Sequence, residues 1–244
     1  MPGPFGLAAQ DEDLWMMSAW QNFPLLESLA IGTGLEVALQ NDASAAATAE
    51  KLAGVAKGLD DFVYLYLGYG LGAGLVLKGE VYSGGRRNAG EIGMALPLGP
   101  GDEAGDALEH VVSIAGLCRA MDFDPADPAL FARIDAAIAT PDLRAWIAVA
   151  APKLRWAVQL LETLFDPQTI ILGGSAPASL FAALQADMLP LLRSNAERPD
   201  RVLPRLTLGR ADPWMVALGA AAEPISRAFD PRFSAIQKAR RHYD

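Results

Sequence analysis

Apolar residues recur at helical spacing over residues 24–31 (PLLESLAI), which predicts a short helix. Residues 34–41 (GLEVALQN) alternate in the manner of a short strand and lead into residues 42–54 (DASAAATAEKLAG), an alanine-rich helix closed by Gly54. Residues 61–84 hold two apolar runs joined by a glycine-dense turn, with a second turn at Gly79. That glycine density is incompatible with a helix and predicts a β-hairpin. Helical periodicity returns from Leu108 to Met121. Thr140 and Pro141 then form an N-cap and first-turn pair for a long helix reaching Phe165, with Pro152 placed to kink or split it. Residues 166–192 read as a buried strand, a Gly-Gly turn and a helix, and Asp212 with Pro213 caps a last helix through residues 215–225. The proline-rich stretch 93–107 reads as an irregular loop. Strands alternating with helices, without internal repeats or long polar linkers, predict an α/β fold.

Composition narrows the function classes. At 52% apolar content over 244 residues, the chain can bury a substantial core as one or two domains. No run of 18 apolar residues occurs, and residues 1–15 show neither a basic nor an apolar leader region, so a cytoplasmic protein is expected rather than a membrane or secreted one. Cys118, the one cysteine, excludes an intramolecular disulfide and a cysteine-rich zinc site, and its apolar neighbours mark it as a buried hydrophobe. A net charge of −9 opposes binding to a phosphate backbone. The basic residues Lys238, Arg240 and Arg241 read as a solvated helix end.

Four constellations carry candidate chemistry. Asn41 and Asp42 stand at a strand-to-helix junction, where open α/β sheets place ligand-contacting groups; an amide beside a carboxylate can read adjacent sugar hydroxyls, although Asp42 could equally serve as a helix cap. The glycines of Gly68-Tyr69-Gly70-Leu71-Gly72-Ala73-Gly74 would let backbone N–H groups approach a phosphate, or would simply make a tight hairpin; Gly173 and Gly174 carry the same pair of readings. Glu91, between glycines, and Glu109, in an apolar helix, are carboxylates in surroundings that call for polar partners, although each could be a solvated residue. His110 next to Glu109 has no visible partner cluster and is given no role.

The order of these pieces is more specific than any one of them. Pro2-Gly-Pro-Phe, Trp20-Gln-Asn-Phe-Pro, Asn41-Asp-Ala-Ser, Leu67-Gly-Tyr-Gly-Leu-Gly-Ala-Gly74, Ala89-Gly-Glu-Ile-Gly93, Leu108-Glu109, Ile171-Leu-Gly-Gly-Ser175 and Leu218-Gly-Ala-Ala221 together resemble the ROK family of bacterial sugar repressors and sugar kinases. The resemblance implies an actin-like, ribonuclease H-like and hexokinase-type ATPase fold of two lobes: the remainder of an incomplete N-terminal lobe over residues 1–60, the C-terminal lobe over 61–225, and a helix over 226–244 packing back on the first. It implies that Asp42 stands where the kinases keep the base that deprotonates the sugar hydroxyl, with Asn41, Glu91 and Glu109 contacting sugar. Gly68, Tyr69, Gly70 and Gly72 would then form the second phosphate loop, with Gly173, Gly174 and Gly219 on the adenosine side.

Three departures qualify that resemblance. The chain starts at the Pro-Gly-Pro segment, without the family's first Asp-Gly-Gly-Thr-type phosphate loop. Tyr69 replaces a small threonine in the second loop, and Met94 replaces the histidine of Gly-Glu-Ile-Gly-His while the zinc-binding cysteines are missing. Phosphoryl transfer depends on positioning and charge compensation, so intact sugar positions beside degraded phosphate positions favour a sugar-sensing effector domain of a regulator, binding a sugar or sugar phosphate as a homodimer, without structural zinc and without DNA contacts of its own. The alternatives are an ATP- and Mg-dependent hexose or aminosugar kinase with Asp42 as general base, or a truncated reading frame without activity.

Overall fold

The computed structural model describes residues 23–96, 107–210, 212 and 214–229. Among the described residues two helices come first, α1 (Leu25–Thr33) and α2 (Asp42–Ala53), followed by β1 (Phe62–Leu67), β2 (Leu71–Leu77) and the two-residue β3 (Glu80–Val81). A single 3-10 turn, Ile92–Met94, leads to α3 (Leu108–Val111), α4 (Ile114–Met121), α5 (Leu130–Ala136) and the long α6 (Pro141–Phe165). The described residues end with β4 (Thr169–Gly174), α7 (Ala178–Met188), β5 (Leu206–Leu208) and α8 (Met215–Phe229). The Pro2 and Trp20 segments, residues 97–106 of the proline-rich stretch and the basic residues after 230 lie outside the described residues.

The five strands form one mixed sheet in the order β3-β2-β1-β4-β5, with β1 antiparallel to β2 and parallel to β4. All six residues of β1 are buried, so the FVYLYL run is apolar without alternation because both of its faces are covered. Val63, Leu65 and Leu67 pack into the larger core with Leu117, Leu154 and Leu184 of α4, α6 and α7. Phe62, Tyr64 and Tyr66 point to the opposite face, against Ala43, Ala46 and Ala47 of α2. The result is three layers, with α2 and α8 together on one face of the sheet.

Alanine suits α2 because the helix is pressed from two sides. A β-carbon on Gly74 of β2 would lie 2.4 Å from the Ala43 carbonyl oxygen, and one on Gly219 of α8 would lie 1.7 Å from the Ala45 carbonyl oxygen. Both contacts require glycine. At its far end, buried Glu50 turns back over Gly54 and accepts the amides of Val55 and Arg210 (2.8 and 2.6 Å), which pins α2 to the exit of β5.

Three local expectations change. Residues 34–41 form no strand: Leu35 is 69% exposed, and no strand among the described residues lies alongside to complete a ladder. The stretch Leu108–Met121 is two helices, because Ser113 breaks the run and caps α4 by accepting the Gly116 amide at 2.9 Å. Pro152 does not split α6, which runs as one 25-residue helix; Ala148, whose carbonyl loses its donor there, lies on the exposed side.

Candidate functional site

The N-terminus of α2 sets the first two residues. Asn41, rather than Asp42, is the cap: its extended backbone (φ −65°, ψ 147°) lets Oδ1 accept the Ser44 amide at 3.2 Å. Asp42 is therefore the first helical residue, and its Oδ1 accepts the Ala43 amide at 2.9 Å. Burial raises its carboxyl above the usual range.

Glu91 is delivered by a staple between strand and loop. Gly90 has φ +92°, accepts the Ala73 amide through its carbonyl at 2.7 Å, and would place any β-carbon 1.8 Å from the Ala73 carbonyl oxygen. Only glycine fits, and the next residue is held beside β2. Glu109 comes from α3, and its Oε2 accepts the Leu71 amide at 3.4 Å. That oxygen sits against two bare α-carbons, for β-carbons on Gly70 and Gly93 would lie 2.8 and 2.9 Å from it. Burial first, then the charges of Glu109 and Asp42, push the Glu91 carboxyl up to about 7.

Tyr66 was not legible as a site residue. It faces Gly72 of β2 and Gly173 of β4 in register, so its ring lies between two strands without side chains. The ring also covers Gly68, where a β-carbon would come within 2.5 Å of Cε1. Its hydroxyl shares a 2.7 Å hydrogen bond with Ser175, and burial raises the phenol, with the Asp42 charge adding to the effect and the Ser175 bond opposing it. The one signal in the sequence was a pair of tyrosines alternating in a strand next to glycine-rich neighbours.

The candidate phosphate-side glycines divide into a turn and packing positions. Gly68, Tyr69 and Gly70 form the β1–β2 turn, closed by the Gly68 amide donating to the Gly70 carbonyl at 2.9 Å. The carbonyls of Gly68 and Tyr69 accept the Ile114 and Ala115 amides at 2.9 and 3.3 Å, so the N-terminus of α4 is already satisfied by the turn. Gly72 lies within β2 against Ala43, and Gly219 lies in α8 against Ala45. Gly173 and Gly174 let β4 approach β1: their β-carbons would meet the Tyr64 hydroxyl at 2.3 Å and the Leu67 carbonyl oxygen at 2.0 Å. The Tyr69 ring is 52% exposed and borders a cavity of about 340 Å³ that also touches Ala115, Cys118, Arg119 and Phe123.

The model of the ROK family matches residues 15–222. This chain belongs to the ROK family. Its mixed sheet is that of the actin-like ATPase fold: a ROK hexokinase from Thermus thermophilus superposes with a TM-score of 0.61 at 31% identity, over 83% of this chain and 70% of the other. A ROK family transcriptional regulator, homologous to the MLC protein of E. coli, superposes with a TM-score of 0.56 at 28% identity, over 81% of this chain and 54% of the other. A β-glucoside kinase of Listeria monocytogenes is 46% identical over 82 residues, which is 34% of this chain and 28% of the kinase. The chain spans 57% and 28% of the length of the first two curated relatives it matches. Kinases and repressors thus both stand among the relatives of this ROK chain.

In the turn of this ROK protein the Leu71 amide faces Glu109 Oε2, and Tyr69 is exposed. Among the described residues, no three His, Cys, Asp or Glu side chains converge closely enough to chelate a metal ion. No helix among them is long and apolar enough to cross a membrane.

Proposed function

We propose that this chain is the sugar-recognition domain of a ROK-type transcriptional regulator and that it does not itself transfer phosphate. The observation that carries this reading is Glu109 Oε2 set against the Leu71 amide and the bare Gly70 and Gly93, beside a turn bearing a bulky Tyr69, with the charges of Glu109 and Asp42 reaching Glu91. Carboxylates accept hydrogen bonds, and the hydroxyls of a sugar supply several donors within one small molecule. Asn41 adds an amide next to Asp42. In this reading the protein is cytoplasmic and dimeric, its contacts to DNA come from another part of the regulator, and sugar shifts the balance between DNA-bound and released states.

A second reading, an ATP- and Mg-dependent hexose or aminosugar kinase, is favoured by the β-glucoside kinase relative and by the placement of Asp42 at a helix start with a raised carboxyl, suited to accepting a hydroxyl proton. Calorimetric titration across common hexoses and aminosugars separates the two when paired with a coupled assay of ATP consumption. Binding without turnover is the expected result, and Asp42→Asn should weaken it by about tenfold through loss of a charged acceptor. Sugar-dependent ATP consumption that disappears in Asp42→Asn would establish the kinase instead.

A further inference from the structure

Away from the candidate sugar site, the segment before α2 carries an open backbone edge. Its exposure alternates as the sequence does: Val37 and Leu39 are half-buried, while Glu36 and Ala38 are exposed. Among the described residues, no backbone amide or carbonyl from Glu36 to Leu39 is hydrogen-bonded, and no strand lies alongside. Successive residues in this state present the donors and acceptors of one strand edge to a second strand. The neighbouring helix adds apolar surface. α1 has no buried residue and exposes Leu29 and Ile31, and Gly34 (φ +68°) ends it and turns the chain straight into Leu35, also exposed. The edges of the sheet itself are kept short, with two residues in β3 and three in β5. Residues 34–40 have no such protection: Glu36 is their one charge, and they contain no proline.

We infer that this edge is the contact between two copies of the chain, which pair residues 34–40 antiparallel about a two-fold axis at Val37. In that register the sequence is its own complement. Leu35 of each copy stands opposite Leu39 of the other and the two Val37 residues face each other, so one side of the ribbon is apolar throughout. Glu36 stands opposite Ala38 on the other side, and the two acids are never directly opposed. An axis at Ala38 would set Leu35 against Asn41 and lose one apolar pair at each end. An axis between two residues would place opposite residues on different faces, which a two-fold antiparallel pair does not allow. The exposed Leu29 and Ile31 of both copies border the ribbon and extend the apolar contact beyond it.

Sedimentation of the full chain reads the assembly directly, and a dimer that dissociates on dilution below about 10 µM is expected. Ala38→Pro removes an amide that no described residue uses and should weaken the dimer about tenfold or more, with an unchanged circular dichroism spectrum. Leu35→Lys, at an exposed position, sets a charge against Leu39 of the other copy and gives the same readout should the proline variant fold poorly. Cysteine pairs read the register. Two cysteines in place of Val37 would have Cα atoms about 5 Å apart, within bridging distance, whereas two in place of Ala38 would be about 8 Å apart and beyond it. Because Cys118 is buried, Val37→Cys should give disulfide-linked dimers on mild oxidation and Ala38→Cys few or none. A chain that stays monomeric at about 100 µM overturns this interface and leaves the edge to a strand of another polypeptide. A dimer unmoved by both Ala38→Pro and Leu35→Lys, or equal linking through positions 37 and 38, overturns the pairing as well. Sugar titration of the same samples reads the sugar site separately, so failure of either leaves the other standing.

Discussion

Glu91 carries the clearest electrostatic consequence in the molecule. Its carboxyl titrates near 7 in the folded chain against an ordinary value of 4.5, so between those limits the folded state holds a proton that the unfolded state has released. The group's contribution to stability is complete below about pH 4.5 and is lost as pH rises through about 7. Glu91→Gln, which cannot ionise, should therefore unfold at a higher temperature than the parent at pH 8 and at nearly the same temperature at pH 5, as thermal denaturation followed by circular dichroism would show. A parent and variant that differ equally at both pH values would contradict the coupling. At this same scale, Asn41, Asp42, Glu91 and Glu109 could be named as candidates from the sequence because polar residues among glycines, alanines and apolar neighbours stand out from their surroundings. Tyr66 and Ser175 were not, since an aromatic residue in a buried strand reads as core until a partner 109 residues away is seen beside it.

Elements are held together by glycine–alanine contact and by two buried acids. Gly219→Ala would force a β-carbon against the Ala45 carbonyl, and α8 would have to lift from α2; a loss of about 1–3 kcal/mol is expected in urea unfolding, the usual range for overpacking. A second anchor ties α6 to the segment before β5. Glu162, fully buried, accepts Arg205 Nε and Nη2 at 2.8 and 2.6 Å and the Ser194 hydroxyl at 2.6 Å. Arg205→Ala would leave that carboxylate buried without its cation and should cost about 3–5 kcal/mol in the same measurement. Helix and strand identities at this scale followed from periodicity, including α6 with its Thr140 cap, whose Oγ1 accepts the Leu143 amide. Where periodicity misled, residues 34–41 have no neighbouring strand among the described residues, and Ser113 starts a new helix whose first amides are taken up by its own hydroxyl and by the distant β1–β2 turn.

For the molecule as a whole, a net charge of −9 and a pI near 4.7 oppose binding to a polyanion, which gives a prediction for DNA. Electrophoretic mobility of duplex DNA at physiological salt should be unchanged by micromolar protein; a retarded band would show that some surface of this chain, and not another part of a regulator, makes the DNA contact. By itself the sequence determined the α/β class and the ROK resemblance and nominated the acids and amide of the candidate site, because each depends on residue type, local spacing or the order of short motifs. Tertiary structure alone decided which glycines form the turn and which admit a neighbouring backbone, that Asn41 rather than Asp42 caps α2, and that Glu109 lies on the Leu71 amide. The glycine–backbone contacts and the Glu109–Leu71 bond join segments far apart in the chain, of whose distance a one-dimensional pattern holds no record, while the Asn41 cap turns on backbone angles that residue type leaves open.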